Sequence, residues 1–447
     1  MLVSEGQEAA MGKEADEQFH GLYGDFPDPR VQGYVESVAR PLAAASERPS
    51  LPWTFRVIDD PQVNAFALPG GYIYVTRGIL AHMNSEAELA GVLGHEIGHV
   101  TARHSASAQS KQLLGMVGLG VGMILSPTLR EGGDALSQAL GLVFLKFGRD
   151  QESQSDQLGL RYIVRQDYSP AGMLDVFRML DGVTASAGGD RLPNWLSTHP
   201  APPNRLADMT RLIEEQKAGG KRVGRAEFIQ HLDGMAFGAN PREGFFRDQV
   251  FYHPEMAFKM TFPAGWAKQN ERQGVSSMPS SKDAILQLTL APADPQAAAE
   301  AFARQQGIQA GPIERGTVNG FPTSSLQFQI QDPQNGALSG SVTFLKHGGA
   351  TLQLLGYSTE ARYGAHRAAI AAWVRSFERL TDARTLSAQP LRLRIETLRS
   401  PATLSSLARD WNSPVTGETL ALINAVALNQ SIPAGTLVKR VVGEKVQ

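Results

Sequence analysis

Two histidines four residues apart, with a carboxylate directly after the first, make His95-Glu96-Ile97-Gly98-His99 the part of this sequence best suited to chemistry. On an α-helix such a pair shares one face and lies about 6 Å apart along the axis. Two imidazoles so placed can bind one zinc ion at about 2.0–2.1 Å each. Glu96 would then face the coordination position left open for water. Zinc lowers the pKa of that water toward about 7, and the carboxylate can take its proton as it attacks a carbonyl. The chemistry on offer is metal-assisted hydrolysis, with one Zn2+ per chain.

The chain has no cysteine, so a third ligand must come from a His or a carboxylate. Arg149–Asp156 supplies Glu152 as the candidate, with Asp150 as its competitor. Asp156, one helical turn beyond Glu152, can accept the outer N–H of a ligand histidine and fix its tautomer. The plainer reading of these acids is a first helical turn that suits the helix dipole. His104, five residues past His99, falls roughly 140° around the helix and reads as structural. His20, His82, His231, His253, His347 and His366 have no partner at ligand spacing and read as surface or packing residues.

The elements that must position these groups are legible in outline. Ser85 with Glu88 three residues on is a capping box, which predicts a helix from there through about Arg103. Leu89, Val92, Leu93 and Val100 would bury its other faces. Val31–Ser46 has helical periodicity, Thr54–Asp59 and Tyr72–Val75 alternate as strands, and Pro69-Gly70-Gly71 is turn chemistry. The apolar, glycine-rich run Leu113–Phe147 reads as two helical segments folded on each other beside the site, or as a lid or lipid-touching surface. No run reaches the ~18–20 apolar residues of a membrane span.

The expected fold class is multidomain α+β. A mostly helical domain with a small sheet occupies 1–225, an α+β domain 226–384, and a small βααβ unit 385–447. The charged stretch Glu214–Arg225, with Gly219-Gly220, marks the first boundary, and Thr385–Pro390 reads as a linker. In the middle domain Lys346–Gly349 reads as a hairpin turn, helices are predicted over Pro295–Gln306 and Tyr363–Phe377, and no catalytic constellation stands out. The last unit, about fifty residues, is small for a core of its own and is expected to be marginal or docked. A formal charge of −2 gives no basic field for nucleic acid. Met1–Phe19 is polar and acidic, without the basic and apolar regions of a signal peptide. The expectation is therefore a cytoplasmic chain or one whose leader has been removed.

Four ordered motifs together resemble the M48 zinc metallopeptidases, in particular the bacterial exported branch. They are Asn64-Ala65-Phe66-Ala67-Leu68-Pro69-Gly70-Gly71, then Glu88–Val100, then Glu152–Asp156, then Ser197-Thr198-His199-Pro200, and the resemblance covers about residues 4–215. Ser155 stands where the family usually has alanine.

The resemblance implies a gluzincin-type fold, with zinc on His95, His99 and Glu152 and with Glu96 catalytic. It implies that the strand through Asn64, Ala65 and Phe66 binds extended substrate by adding a strand. Two family-like roles fit His199: a donor to the tetrahedral oxyanion, or a fourth ligand that closes the site until displaced. A His-Pro turn without chemistry is the third reading. Arg205 would assist His199 or hold its loop. Further implications are an endopeptidase acting on unfolded or misfolded proteins in envelope quality control and a periplasmic or otherwise exported location; the apolar run Leu113–Phe147 separately adds peripheral membrane contact as an expectation.

Leu391–Val442 is loosely similar to a LysM module through Thr403–Ala408, Leu422-Ile423-Asn424 and Ile432–Gly435, which implies peptidoglycan as a partner, the alternative being a non-binding cap on the preceding domain. The competing expectation is a peptidoglycan- or protein-binding scaffold or chaperone with a latent peptidase site.

Overall fold

The computed structural model describes residues 3–107, 147–186, 195, 199, 204–272, 274–332 and 336–445. The lid or hairpin expected over Leu113–Phe147 lies outside them except for Phe147, as do Ser197, Thr198 and Pro200. The described residues form two compact units. One comprises those up to Asn240 together with Pro390–Lys445, the other Pro241–Gln389.

The first unit opens with helices α1 (Glu5–Tyr23) and α2 (Pro29–Ala44). Strands β1 (Thr54–Ile58), β2 (Ala65–Leu68) and β3 (Tyr72–Thr76) follow, then α3 (Arg77–His82) and α4 (Glu86–Thr101). Helices α5 (Arg149–Arg165), α6 (Ala171–Ser186), α7 (Arg205–Glu215) and α8 (Arg225–His231) complete its helical part. The sheet runs β1-β3-β2, with β1 parallel and β2 antiparallel to β3, so β2 is an edge strand. Phe55, Val57, Ile73 and Val75 face the main core with α2 and α4. Phe66, Leu68 and Tyr74 face the other way, onto Ala15 and Phe19 of α1. Ion pairs anchor α1: Glu8 with Arg48 and Arg103, Asp16 with Arg56.

α4 is the centre of this unit. Every residue from Glu86 to Val100 is buried. Glycines on the faces not used by apolar side chains allow neighbouring backbones to close in. A Cβ built on Gly98 would sit 3.0 Å from the Ser155 carbonyl oxygen, and one built on Gly159 would sit 2.9 Å from the His95 amide nitrogen. α4 and α5 therefore touch backbone to backbone. The Ser85 hydroxyl accepts the Glu88 N–H at 3.2 Å and so caps α4. The helix ends at Thr101 rather than Arg103, because Arg103 turns left-handed at φ 59°.

The C-terminal segment returns to this unit as β5 (Leu391–Thr397), α9 (Leu404–Asp410), α10 (Gly417–Asn424) and β6 (Leu437–Val442). Its strands continue onto β4 (Ala236–Phe237) in the order β6-β5-β4. Leu393, Leu420, Ile423 and Val438 join the same core as α4. A βααβ unit of this size cannot enclose its own apolar side chains, and it buries them against α3, α6 and α8. The stretch from Arg225 to Asn240 also packs here.

The second unit holds an eight-stranded antiparallel sheet and a four-stranded one. Its strands Gly336–His347 and Ala350–Thr359 are joined by Gly348-Gly349. Two cores lie against Pro295–Ala303 and Glu360–Arg375, with Phe302 in one and Trp373 in the other. Among its described residues no cluster of His, Asp and Glu could hold a metal ion.

The seam between α4 and α5 yields a test. Gly159→Val forces methyl groups into the His95 backbone, and overpacking of this kind costs about 3 kcal/mol. Unfolding in denaturant should report that loss; a change below about 0.5 kcal/mol would mean the seam can open freely.

Candidate metal centre

α4 carries His95, Glu96 and His99, and α5 runs alongside it with Glu152 and Asp156 on the facing side. Because the helices touch at glycine, the Glu152 carboxylate reaches both imidazoles. Its Oε2 lies 3.5 Å from His95 Nε2 and its Oε1 3.4 Å from His99 Nε2. The two Nε2 atoms are 3.0 Å apart. His199 adds a fourth donor, with Nδ1 3.1 Å from Glu152 Oε1 and 3.4 Å from His95 Nε2. Four ligands at about 2.05 Å from a tetrahedral zinc are separated by about 3.3 Å. The observed separations scatter around that edge length, so the donor set fits zinc in number, type and spacing. All four residues are buried, and this is the metal-capable group found among the described residues. Asp150 is exposed at the start of α5 and takes no part.

The two candidate ligands on α4, His95 and His99, are each held from behind. Asp156 Oδ1 is 2.8 Å from His95 Nδ1. Asp156 in turn receives a bidentate pair from Arg205, Nε at 2.9 Å and a terminal nitrogen at 2.7 Å. Burial alone would raise the Asp156 carboxyl, but the charge of Arg205 and the bond to His95 outweigh it and hold the carboxyl below the usual carboxylate range. The Arg205 guanidinium also lies over the rings of Phe177 and Trp195, at 4.5 and 5.0 Å. Asp156 and Arg205 thus stand where the ligand histidine needs an acceptor and where that acceptor needs a counter-charge.

His99 is braced by a residue to which helical spacing gives no role. His104 Nδ1 is 3.0 Å from His99 Nδ1, and its Nε2 is 3.0 Å from Gln154 Oε1. The Ser155 hydroxyl lies 3.3 Å from His104 Nδ1. An offset of roughly 140° holds only for a continuous helix. The left-handed Arg103 reverses the chain and brings His104 back onto His99. Glycine or asparagine normally marks such a turn; Thr101-Ala102-Arg103 gives no such signal. Phe147 covers the His99 ring, with centroids 4.1 Å apart.

Glu96 is fully buried. One carboxylate oxygen accepts the Trp195 indole N–H at 3.1 Å, and the other, Oε2, makes no hydrogen bond among the described residues. Trp195 stacks on His199 at 4.9 Å and its carbonyl accepts the His199 amide at 2.8 Å. Nothing in the spacing of the sequence marks Trp195. Its own N–H reaches the Val63 carbonyl at 3.5 Å, just before β2.

The substrate strand expected through Asn64, Ala65 and Phe66 is that edge strand. Its side chains are buried, Phe66 stacking on Tyr74 at 4.9 Å. The Thr76 N–H bonds the Asn64 carbonyl. Antiparallel alternation then turns the main chain of Asn64, Phe66 and Leu68 inward and that of Ala65 and Ala67 outward. The main-chain groups that the edge of β2 leaves unpaired by β3 are those of Ala65 and Ala67.

One zinc ion per chain is expected by metal analysis of the purified protein. Asp156→Asn, which weakens the orienting bond to His95, should lower zinc affinity about 10–100-fold. A variant that binds zinc as tightly as the native chain would remove Asp156 from the support of the site.

The comparisons with known proteins concern this same unit. Residues 29–213 match the family model described as Peptidase family M48. The chain is 37% identical over 191 residues to "Mitochondrial metalloendopeptidase OMA1" of Arabidopsis thaliana, covering 42% of this chain and 38% of that protein. It is 30% identical over 215 residues to "Beta-barrel assembly-enhancing protease" of Escherichia coli strain K12, covering 46% of this chain and 44% of that protein. The Schizosaccharomyces pombe metalloendopeptidase OMA1 is 32% identical over 219 residues, covering 48% of this chain and 62% of that protein. The first two relatives are thus matched over less than half their length. Helix α1, the second unit and the C-terminal βααβ segment fall outside the family match. Residues 29–213 are thus similar to peptidase family M48, and the relatives that share this region are named as metalloendopeptidases and proteases.

Proposed function

We propose that the first unit is a zinc-dependent endopeptidase of gluzincin type, in which His95, His99 and Glu152 hold the metal and Glu96 is the general base. The observation that carries this is the four-donor cluster at zinc spacing, with a Glu96 Oε2 that has no partner among the described residues on the same helix face. Zinc bound there would polarise the scissile carbonyl and acidify the attacking water. Glu96 would accept the proton of that water and deliver it to the departing amine. Its burial supports a carboxylate that exchanges protons with substrate rather than with solvent. Extended polypeptide would lie antiparallel to β2, bonded to the outward main chain of Ala65 and Ala67.

His199 reads best as a fourth ligand that keeps the centre shut. Its Nδ1 completes the donor set, and Trp195 beside it occupies the other oxygen of the base. The Trp195 N–H meets Val63 where the substrate strand would begin. Peptide entry then requires Trp195 and His199 to move. A site closed by its own chain suits a protease that must spare folded neighbours, in keeping with unfolded or misfolded envelope proteins as substrates and an exported location. The relatives named beta-barrel assembly-enhancing protease support that setting. Among the described residues no helix is long and apolar enough to cross a membrane, and any membrane contact would be peripheral.

The βααβ order of the C-terminal segment supports a second reading, a LysM-like unit that retains the chain on peptidoglycan, with the peptidase latent. Sedimentation with purified peptidoglycan tests it, and a chain that stays in the supernatant removes the glycan partner.

Cleavage of unfolded casein by the zinc-loaded chain is the direct assay. Glu96→Gln should cut the rate by roughly 10²–10⁴-fold while zinc content stays at one per chain; equal cleavage by native and variant chains would end the mechanism. His199→Ala separates the roles of that residue: faster cleavage supports closure, and slower cleavage makes His199 an oxyanion donor instead.

A further inference from the structure

A lysine buried far from solvent, in a segment outside the family match, meets the main chain just ahead of the active-site helix. Lys439 lies on β6 and is 0% exposed. Its ammonium donates to the carbonyl oxygens of Ala81 at 2.9 Å and Met83 at 2.5 Å. These are the residues where α3 ends and the chain crosses to α4. The next carbonyl, of Asn84, accepts Arg225 at 3.3 Å. On the amide side of the same crossing, Glu88 accepts the Asn84 N–H at 2.9 Å and the Ser85 hydroxyl at 3.0 Å. The junction 81–85 is therefore held on both rails, its carbonyls by cations from later in the chain and its donors by the first turn of α4.

Lys439 is itself fixed in place. Its N–H donates to Asn424 Oδ1 at 2.7 Å, and the Asn424 amide donates to the carbonyls of Lys439 and Leu420, each at 2.9 Å. Asn424 is buried at the end of α10, so β6 and α10 present the ammonium as one piece. Covering the apolar flank of α3 would need only Leu or Met here, since burying an ammonium carries a heavy desolvation cost. Burial indeed pushes the Lys439 ammonium well below the usual lysine range and pushes the Glu88 carboxyl up. A lysine does what an apolar residue cannot: it grips two main-chain oxygens at the base of α4.

We infer that Lys439 is a positioning residue for the metal centre, and that the C-terminal βααβ segment is a working part of the peptidase. α4 begins at Glu86, and His95 follows about two and a half turns later. A shift or tilt at the junction moves His95, Glu96 and His99 relative to Glu152 on α5. The inference rests on the peptidase reading for its kinetic consequence and not for its effect on the metal.

The test compares the full-length chain with Lys439→Met, at a temperature where both are folded. Zinc affinity is measured by competition with a chromophoric chelator, and kcat and KM on an unfolded casein-derived peptide. The expected result is zinc affinity lowered about tenfold and kcat lowered about tenfold with KM within about twofold. Hydrogen exchange at the amides of 84–92 should quicken in the variant. A variant that only melts earlier, with native zinc affinity, kcat and amide exchange, would overturn the inference and make the segment a passive cap. If Lys439→Met does not fold, Lys439→Arg takes its place. It keeps the charge but cannot seat a single nitrogen between the two carbonyls, so the same losses support the inference and native values overturn it. If the native chain binds zinc and cleaves nothing, the peptidase reading fails, while zinc affinity and amide exchange still decide the role of Lys439.

Discussion

Burial of α4 on all sides is the condition from which the centre follows. A helix that offered its His95–His99 face to water could bind metal, but only loosely and with its ligands free to turn. Here the glycines of α4 and α5 let two backbones meet, and that approach delivers the Glu152 carboxylate to both imidazoles. The same burial makes any unpaired charge expensive. Most charged groups near the site are accordingly paired, Asp156 with Arg205, Glu152 with the histidines and Arg205 also with two aromatic faces, whereas Glu96 keeps one oxygen without a partner among the described residues. The centre is a continuous polar chain inside an apolar shell, and its order of assembly runs from packing to electrostatics to chemistry.

Much of that centre is legible in the sequence because its parts are local. A His pair on one helical turn, a capping serine and an acid pair on the next helix all follow from the period of 3.6 residues. The acceptor role of Asp156 is readable from its offset to Glu152. Tertiary returns of the chain are not readable. His104 comes back to His99 through a left-handed arginine, a conformation no side chain there announces. Trp195 reaches Glu96 from a segment with no regular spacing at all. The strand Ala65–Leu68 and its turn are visible, but not that Trp195 sits beside Val63 where that strand starts.

The larger organisation is legible in its elements and less so in their grouping. The βααβ order of the last segment and the sheet-rich middle region both follow from alternation and turn residues. Composition and charge divide the chain into three regions at 225 and 384, whereas it packs as two units with Arg225–Asn240 and the C-terminal segment in the first. Apolar residues in a strand or helix declare that they will be buried, and not against what. Leu393, Ile423 and Val438 could have closed on each other; they close on α3 and its neighbours because about fifty residues leave too little interior.

Helix α1 carries a practical consequence. It precedes the family match, yet Phe19 covers the Phe66–Tyr74 face of the sheet, and Glu8 and Asp16 neutralise Arg48, Arg103 and Arg56. A fragment trimmed to the family limits would bare an aromatic surface directly behind the strand proposed to receive substrate. It would also strand three arginines, one of them the left-handed residue whose turn returns His104 to the metal ligand. Such a fragment should clump in solution and bind metal poorly, and its weakness would say nothing about the intact chain.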